Sequence, residues 1–279
     1  MNNFLVVSNK EKDPDGEVSR MIQGYLEGKG CSVTLDSVTH GNMHKEELKK
    51  AAEEGADCVL VLGGDGTLIQ VAGALSAKDI PLLGINLGTL GYLAEIEKDQ
   101  ILPTLDRLIK DDYEIEERMM LSTSAGGDRR DALNDIIITR YGDPRVVRYV
   151  IYVNGRCLST YDADGIIIST PTGSTGYNMS AGGPIVEPNA KLILITPICP
   201  HTLNTRAVVL SSDDLISIEV CESKYMREYE ACVSCDGVSS IKLAAGKSVD
   251  IRKADGVTKI IKMSREGFLD VLSRKLGAV

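Results

Sequence analysis

The sequence lacks the long hydrophobic run of a membrane-spanning helix: apolar stretches such as Cys58 to Leu62 fall far short of the roughly 20 residues required. It also lacks an excess of basic charge. Its 31 Lys and Arg against 40 Asp and Glu give a formal net charge of -9. No general basic surface is therefore available for nucleic acid or anionic lipid, and neither partner is expected. The opening residues, MNNFLVVSNKEKD, lack a basic start, a long apolar core and a small-residue cleavage site. They do not read as a secretory signal, and cytoplasmic residence is expected. A disulfide framework is missing too: the seven cysteines are odd in number and scattered, and Cys31, Cys58, Cys157 and Cys199 sit in apolar runs, as reduced core thiols do. Cys232-x-x-Cys235, with Cys221 and His201 nearby, has no second close pair of ligands and lies in an alternating strand pattern, so no zinc site is expected there. Internal repeats, low-complexity tracts and long linkers are absent.

What is present is the composition of a soluble globular protein, 43% hydrophobic and 25% charged. A length of 279 residues accommodates one large domain or two ordinary ones. Up to about residue 112, strand and helix signals alternate. Phe4 to Val7, Cys31 to Leu35, Asp57 to Leu62 and Ile80 to Ile85 read as strands. Val18, Met21, Ile22, Tyr25 and Leu26 recur at helical spacing, and residues 45 to 54, Thr67 to Leu75 and Leu102 to Ile109 read as further helices. Such alternation predicts an open parallel sheet covered by helices. After Asp111 the texture changes to short β-branched runs between turn signals, among them Ile136 to Thr139, Val146 to Val153, Gly165 to Ser169, Leu192 to Thr196, Leu215 to Val220, Tyr229 to Ser234 and Ser248 to Ile251. Asn154-Gly155 marks a type I′ hairpin turn. Helical spacing returns from Arg265 to Lys275. The expected fold is an α/β domain, 1–112 completed by 264–279, and a β-rich domain, 113–263, with the C-terminal helix returning to the first.

Three segments carry chemistry. Gly63-Gly64-Asp65-Gly66-Thr67 runs from a buried strand into a helix, where glycines let backbone N–H groups approach a phosphate that also feels the helix N-terminus. Asp65 is an anion in a turn suited to anions, which points to proton abstraction or metal ligation, with capping of the following helix as the plain alternative. Ser169 to Tyr177, followed by Ser180 to Pro184, offers N–H groups, hydroxyls and an aromatic face together, as a nucleotide requires. Asn86 to Leu93 is a glycine-punctuated loop leaving another strand of the first domain, and Asn134-Asp135 and Asp164 stand at strand starts as ordinary turn residues also do.

These segments together resemble the NAD kinase family. The match rests on GGDGT (63–67), NLGTLGYL (86–93), ND (134–135), DADGIIISTPTGSTGYNMSAGGPIV (162–186), PHTLNTR (200–206) and SCDG (234–237), in the family's order over nearly the whole chain. The GGDG turn alone is shared with phosphofructokinases and lipid kinases; TPTGSTGY separates them. The resemblance implies phosphorylation of the 2′-hydroxyl of the adenosine ribose of NAD to give NADP, with the dinucleotide held between the two domains of a homodimer or homotetramer. It further implies a divalent cation, Mg2+, with no firm protein ligands, and ATP or polyphosphate as donor. Carried over by position, Asp65 is the general base, Gly63, Gly64, Gly66 and Thr67 form the phosphate loop, and Tyr92, Asn134, Asp135, Asp164, Thr172, Thr175, Gly176, Tyr177 and Ser180 line the NAD site. Three positions depart from the family's usual pattern: Asp135 replaces Glu, Gly176 replaces Ala, and Asp162 stands where many bacterial relatives carry Arg, which leaves NAD against NADH preference open. Two other readings share features of the sequence: a diacylglycerol-type lipid kinase, which the acidic charge opposes, and a non-catalytic dinucleotide-binding regulator, which an intact Asp65 opposes.

Overall fold

In the computed structural model, which describes all residues except 40–44, 77, 89–90, 125–126, 128, 143–144, 202–205, 222–229, 265 and 278–279, the chain forms two units, Met1–Glu117 with Thr258–Val279, and Arg118–Val257. In chain order the first unit contains β1 (Asn3–Asn9), α1 (Glu17–Gly28), β2 (Ser32–Val38), α2 (Lys45–Glu53), β3 (Cys58–Gly63), α3 (Asp65–Ala74), β4 (Leu82–Asn86) and α4 (Ile101–Ile109). The continuous apolar runs of β1, β3 and β4 bury both faces, so these strands sit inside a parallel sheet of order β2-β1-β3-β4. Ile22 and Leu26 of α1 and Leu105 and Leu108 of α4 pack on Phe4, Val6, Leu60, Leu62 and Ile85. The helical spacing of the apolar residues thus does its work against a sheet. Asp13 opens α1, its carboxylate accepting from the N–H groups of Val18 and Ser19 at 3.1 and 3.0 Å. Parallel pairing brings the carboxyl ends of β1, β3 and β4 to one edge, where Asn9, Gly63 and Asn86 lead into their loops.

The following strand, β5 (Glu114–Thr123), leads into the second unit, which continues with β6 (Arg130–Ala132), β7 (Asp135–Arg140), β8 (Val147–Val153), β9 (Arg156–Ala163), β10 (Gly165–Ser169), α5 (Tyr177–Ser180), β11 (Leu192–Ile198), β12 (Val208–Ser211), β13 (Ile216–Val220), β14 (Ala231–Cys235) and β15 (Val238–Leu243). The chain ends with β16 (Ser248–Lys262), whose last residues belong to the first unit, and α6 (Phe268–Leu276). One antiparallel sheet runs β12-β11-β10-β7-β14-β15. In the other, β13 lies between β8 and the start of β16, with β9 beyond β8. Ile136, Ile138, Ile166, Ile168, Ile193 and Ile195 of the first meet Tyr149, Ile151, Ile216, Ile218 and Ile251 of the second in one core. The hairpin β8–β9 turns at Asn154 and Gly155 with φ of 49° and 76°, as the Asn-Gly pair requires.

Differences from the sequence expectation have local causes. β9 carries little apolar signal because only Tyr161 and Ala163 along it are buried. β16 runs eleven residues beyond the expected Ile251: Asp255-Gly256 resembles a turn, but the strand passes through it, with Asp255 paired to Arg129 at 2.7 Å and Thr258, Ile260 and Ile261 buried. Among the described residues no helix is long and apolar enough to cross a membrane.

One feature of the second unit has a thermodynamic cost. Asp236 lies in the β14–β15 turn at φ 50°, and its carboxylate accepts from the N–H groups of Leu133, Asn134 and Asp135 at 2.7, 2.8 and 3.0 Å. The buried Asp135 carboxyl beside it is pushed up to about 7, by loss of solvent first and by the Asp236 charge second. The folded state keeps this proton while the unfolded chain releases it near an ordinary aspartate value. The stabilisation is therefore complete below that value and lost as pH rises through about 7. Each pH unit in which only the folded carboxyl is protonated contributes roughly 1.4 kcal/mol. Between about pH 5.5 and about pH 8.5, Asp135→Asn should gain about 2 kcal/mol on the parent in urea unfolding; parallel pH profiles for the two proteins would refute this.

Candidate functional site

In the first unit, the carboxyl ends of β1, β3 and β4 carry the candidate residues. Gly63 ends β3 packed so closely on Thr67 that a Cβ there would overlap the threonine side chain, and its carbonyl accepts from Leu87 N–H at 2.8 Å. Thr67 is buried, and its hydroxyl accepts from the Asn9 side chain at 3.1 Å, which ties the turn after β1 to α3. Asn86 spends its amide on its own turn, donating to Gly88 O and accepting from Gly88 N, both at 3.0 Å. Of the expected phosphate loop, then, Gly63 and Thr67 act as structural clamps. The N–H groups of Asp65 and Gly66 open α3 and have no intrahelical acceptor. They remain the donors available to an anion.

Asp65 does not cap α3. Gly64 occupies the N-cap position and Asp65 is the first helical residue. Its half-buried carboxylate turns instead to the loop after β4: Oδ2 accepts from Tyr92 N–H at 2.6 Å, and Oδ1 accepts from Leu93 and Ala94 N–H, both at 3.0 Å. Gly91 makes this embrace possible, because a Cβ at that position would overlap the carboxylate. Tyr92 therefore reaches Asp65 through its backbone, while its ring lies 5.3 Å from the Lys275 ammonium. Thr89 and Leu90 of this motif lie outside the described residues.

The second unit gathers the Ser/Thr-rich segment around Asn134. Most of the hydroxyls there are already used. Thr170 donates to Leu133 O at 2.6 Å, Ser169 to Asn134 O at 3.2 Å, Ser174 to Val186 O at 3.1 Å, and Thr196 to the Asn178 side chain at 2.6 Å. Thr172 is buried and accepts from Arg118 at 3.3 Å, and Thr175 donates to Thr172 O at 3.4 Å. Gly173 rests on the Asn134 carbonyl with no room for a Cβ, and the Gly176 N–H bonds to Gly173 O at 2.9 Å. Tyr177 and Ser180 of α5 are exposed. What this framework presents is the Asn134 side chain, whose Oδ1 is buried without a partner. Asp135 is buried beside Asp236, and Asp164 is ion-paired with Arg140. Asp162 forms a two-toothed pair with Arg148 at 2.8 and 2.9 Å, which holds its carboxyl below the usual range. Thr202, Leu203, Asn204 and Thr205 of the PHTLNTR motif lie outside the described residues.

Several participants carry no distinct sequence signal. Lys12 sits in an ordinary charged run, yet its ammonium lies over Gly64 and Gly88: a Cβ built on either would stand 3.1 and 2.7 Å from it. Asp236 reads as a Cys-Asp-Gly turn and Gly91 as one glycine among several, while Arg140 falls at the end of β7. Among the described residues no group of three or more His, Cys, Asp or Glu side chains could hold a metal ion.

Known proteins share this chain's sequence and fold. The ATP-NAD kinase N-terminal domain family matches residues 4–113, and the ATP-NAD kinase C-terminal domain family matches residues 133–263. The chain is 41% identical over 286 residues to an NAD kinase from Lachnoclostridium phytofermentans and 42% identical over 284 residues to one from Agathobacter rectalis, in each case covering 99% of both chains. Its fold is similar to that of yeast NADH kinase complexed with NADH, at a TM-score of 0.85 and 22% identity, over 99% of this chain and 88% of that one. An NAD kinase from Archaeoglobus fulgidus in complex with ATP is similar at a TM-score of 0.79 and 25% identity, over 99% of both chains. Matched in order by both domain families and over its full length by these relatives, the chain belongs to the NAD kinase family.

Proposed function

We propose that Asp65 accepts the proton when the 2′-hydroxyl of the adenosine ribose of NAD is phosphorylated to give NADP, and that ATP is the donor. The observation that carries this reading is the lone-pair count at Asp65. An ionised carboxylate has about four acceptor positions. Two on Oδ1 are taken by Leu93 and Ala94 and one on Oδ2 by Tyr92, so one direction on Oδ2 stays open. The N–H groups fix the plane of the carboxylate, and the open direction suits a single hydroxyl. A ribose hydroxyl is a far weaker acid than a carboxylic acid, so proton transfer accompanies attack on phosphorus and the base supplies about 10²- to 10⁴-fold.

Asn134 supports the NAD side of the reading. Its buried, unpartnered Oδ1 calls for an N–H donor, and the exocyclic amine of adenine is one. The Archaeoglobus relative in complex with ATP supports the choice of donor. A Mg2+ ion carried on the donor's phosphates would neutralise part of their charge.

Purified protein given Mg2+, NAD or NADH, and ATP or polyphosphate should form NADP or NADPH, read by an NADP-specific dehydrogenase; absence of product with every pair would overturn the reading. Asp65→Asn should lower kcat by about 10²- to 10⁴-fold with KM for NAD within about threefold, and retention of parental kcat would exclude Asp65 as the base. Gly91→Ala should act through the same carboxylate. Its loss of kcat should be substantial alone and nearly absent in the Asp65→Asn background, whereas additive losses would show that the loop and the carboxylate act separately.

A further inference from the structure

Lys12 stands on a turn anchored at both ends. Its own N–H and that of Asp13 bond to Asn9 O at 3.0 and 2.9 Å, the Asn9 side chain grips Thr67 at 3.1 Å, and the Asp13 carboxylate is engaged by Val18 and Ser19 of α1. The base of the lysine is therefore fixed relative to α3, although its side chain is exposed. Among the described residues no carboxylate pairs with it. The neighbouring Asp13 is engaged by the Val18 and Ser19 N–H groups of α1. The Lys12 ammonium lies over Gly64, the residue before Asp65, and over Gly88.

We propose that Lys12 contacts the phosphoryl group in transit from ATP to NAD. The inference rests on the reading of Asp65 given above. If Asp65 takes the hydroxyl proton, the arriving phosphorus must stand next to that hydroxyl oxygen, over Gly64 and the free N–H groups of Asp65 and Gly66. The ribose oxygen forms a bond to the γ-phosphorus, the bond from that phosphorus to the β,γ-bridging oxygen breaks, and ADP leaves with the electron pair while the proton passes to Oδ2. Charge on the equatorial oxygens is spread through a loose transition state. A mobile ammonium with three donors, aided by the α3 N-terminus, suits that distribution. The two glycines leave room for the ammonium, which a Cβ at 64 or 88 would meet at 3.1 and 2.7 Å.

The test compares Lys12→Met, Lys12→Arg and, as a control outside the site, Lys10→Met. Lys12→Met should lower kcat/KM for ATP by about 10²- to 10³-fold and leave KM for NAD within about threefold. Lys12→Arg, which keeps the charge, should recover part of the loss, and Lys10→Met should match the parent. By calorimetry the Kd of ATP should rise at least about tenfold in Lys12→Met, a readout independent of turnover. Unchanged ATP kinetics and binding in Lys12→Met would overturn the proposal, as would a rise confined to KM for NAD, which would place the lysine on the dinucleotide's own phosphates. A parent protein that forms no NADP would defeat the reading of Asp65, whereas a working parent matched by Lys12→Met would defeat the lysine alone.

Discussion

Three backbone N–H groups closing on one carboxylate organise the first unit's functional edge. Asp65 begins α3 and Tyr92, Leu93 and Ala94 follow β4, so the contact joins the loops of two neighbouring parallel strands. It also explains the local sequence. A residue at 91 with any side chain would displace the carboxylate, and a residue at 63 would displace Thr67, whose hydroxyl holds the turn after β1. Glycine here serves clearance between loops more than flexibility. Strand pairing sets the loops side by side, and the carboxylate fixes their conformation.

The second unit solves a related problem with a second aspartate. Asp236 gathers the N–H groups of Leu133, Asn134 and Asp135, and Thr170 and Ser169 bind the carbonyls of the same stretch. Backbone groups that would otherwise be unpaired at a strand entrance are satisfied by side chains, and the Asn134 backbone is held on both its N–H and its carbonyl. The same clamp brings the Asp236 charge close to Asp135, so rigidity at Asn134 comes with a carboxyl that resists ionisation.

Much of this was legible in the sequence because periodicity and turn chemistry report local demands. The buried strand Cys58–Gly63, the amphipathic α1 and the Asn154-Gly155 hairpin each follow from a pattern within about ten residues. β9 was hidden because an edge strand needs few apolar residues, and the extension of β16 because its Asp255-Gly256 pair imitates a turn until Arg129 and the packing of Ile260 are known. At the site, the types of residue were readable and their assignments less so. A run of Ser and Thr suggests ligand-binding hydroxyls, yet Ser169, Thr170 and Ser174 bond to protein carbonyls. Lys12 shows the opposite failure. Nothing in a charged run singles out one lysine, and only the fold of the turn between Asn9 and Asp13 brings its ammonium over two glycines.

In the proposed reaction, an anionic base beside an anionic phosphate poses an electrostatic difficulty. Two unit charges 4 Å apart repel by about 4 kcal/mol at an effective dielectric constant near 20, and the chain as a whole is acidic. Global charge therefore offers no help, and the compensation must be local. Tyr92, Leu93 and Ala94 direct three N–H dipoles at Asp65, the first turn of α3 presents its free N–H groups on the approach side, and the lysine ammonium lies over the adjoining glycines. Each of these donors is a backbone group or a flexible ammonium, and glycines leave the space for two of the contacts: Gly91 for the carboxylate, Gly64 and Gly88 for the ammonium. Under the proposed reaction, the glycine content of the two loops and the tolerance of a carboxylate next to phosphate are thus one constraint: cationic and N–H groups must come close enough to offset a charge that the chemistry needs.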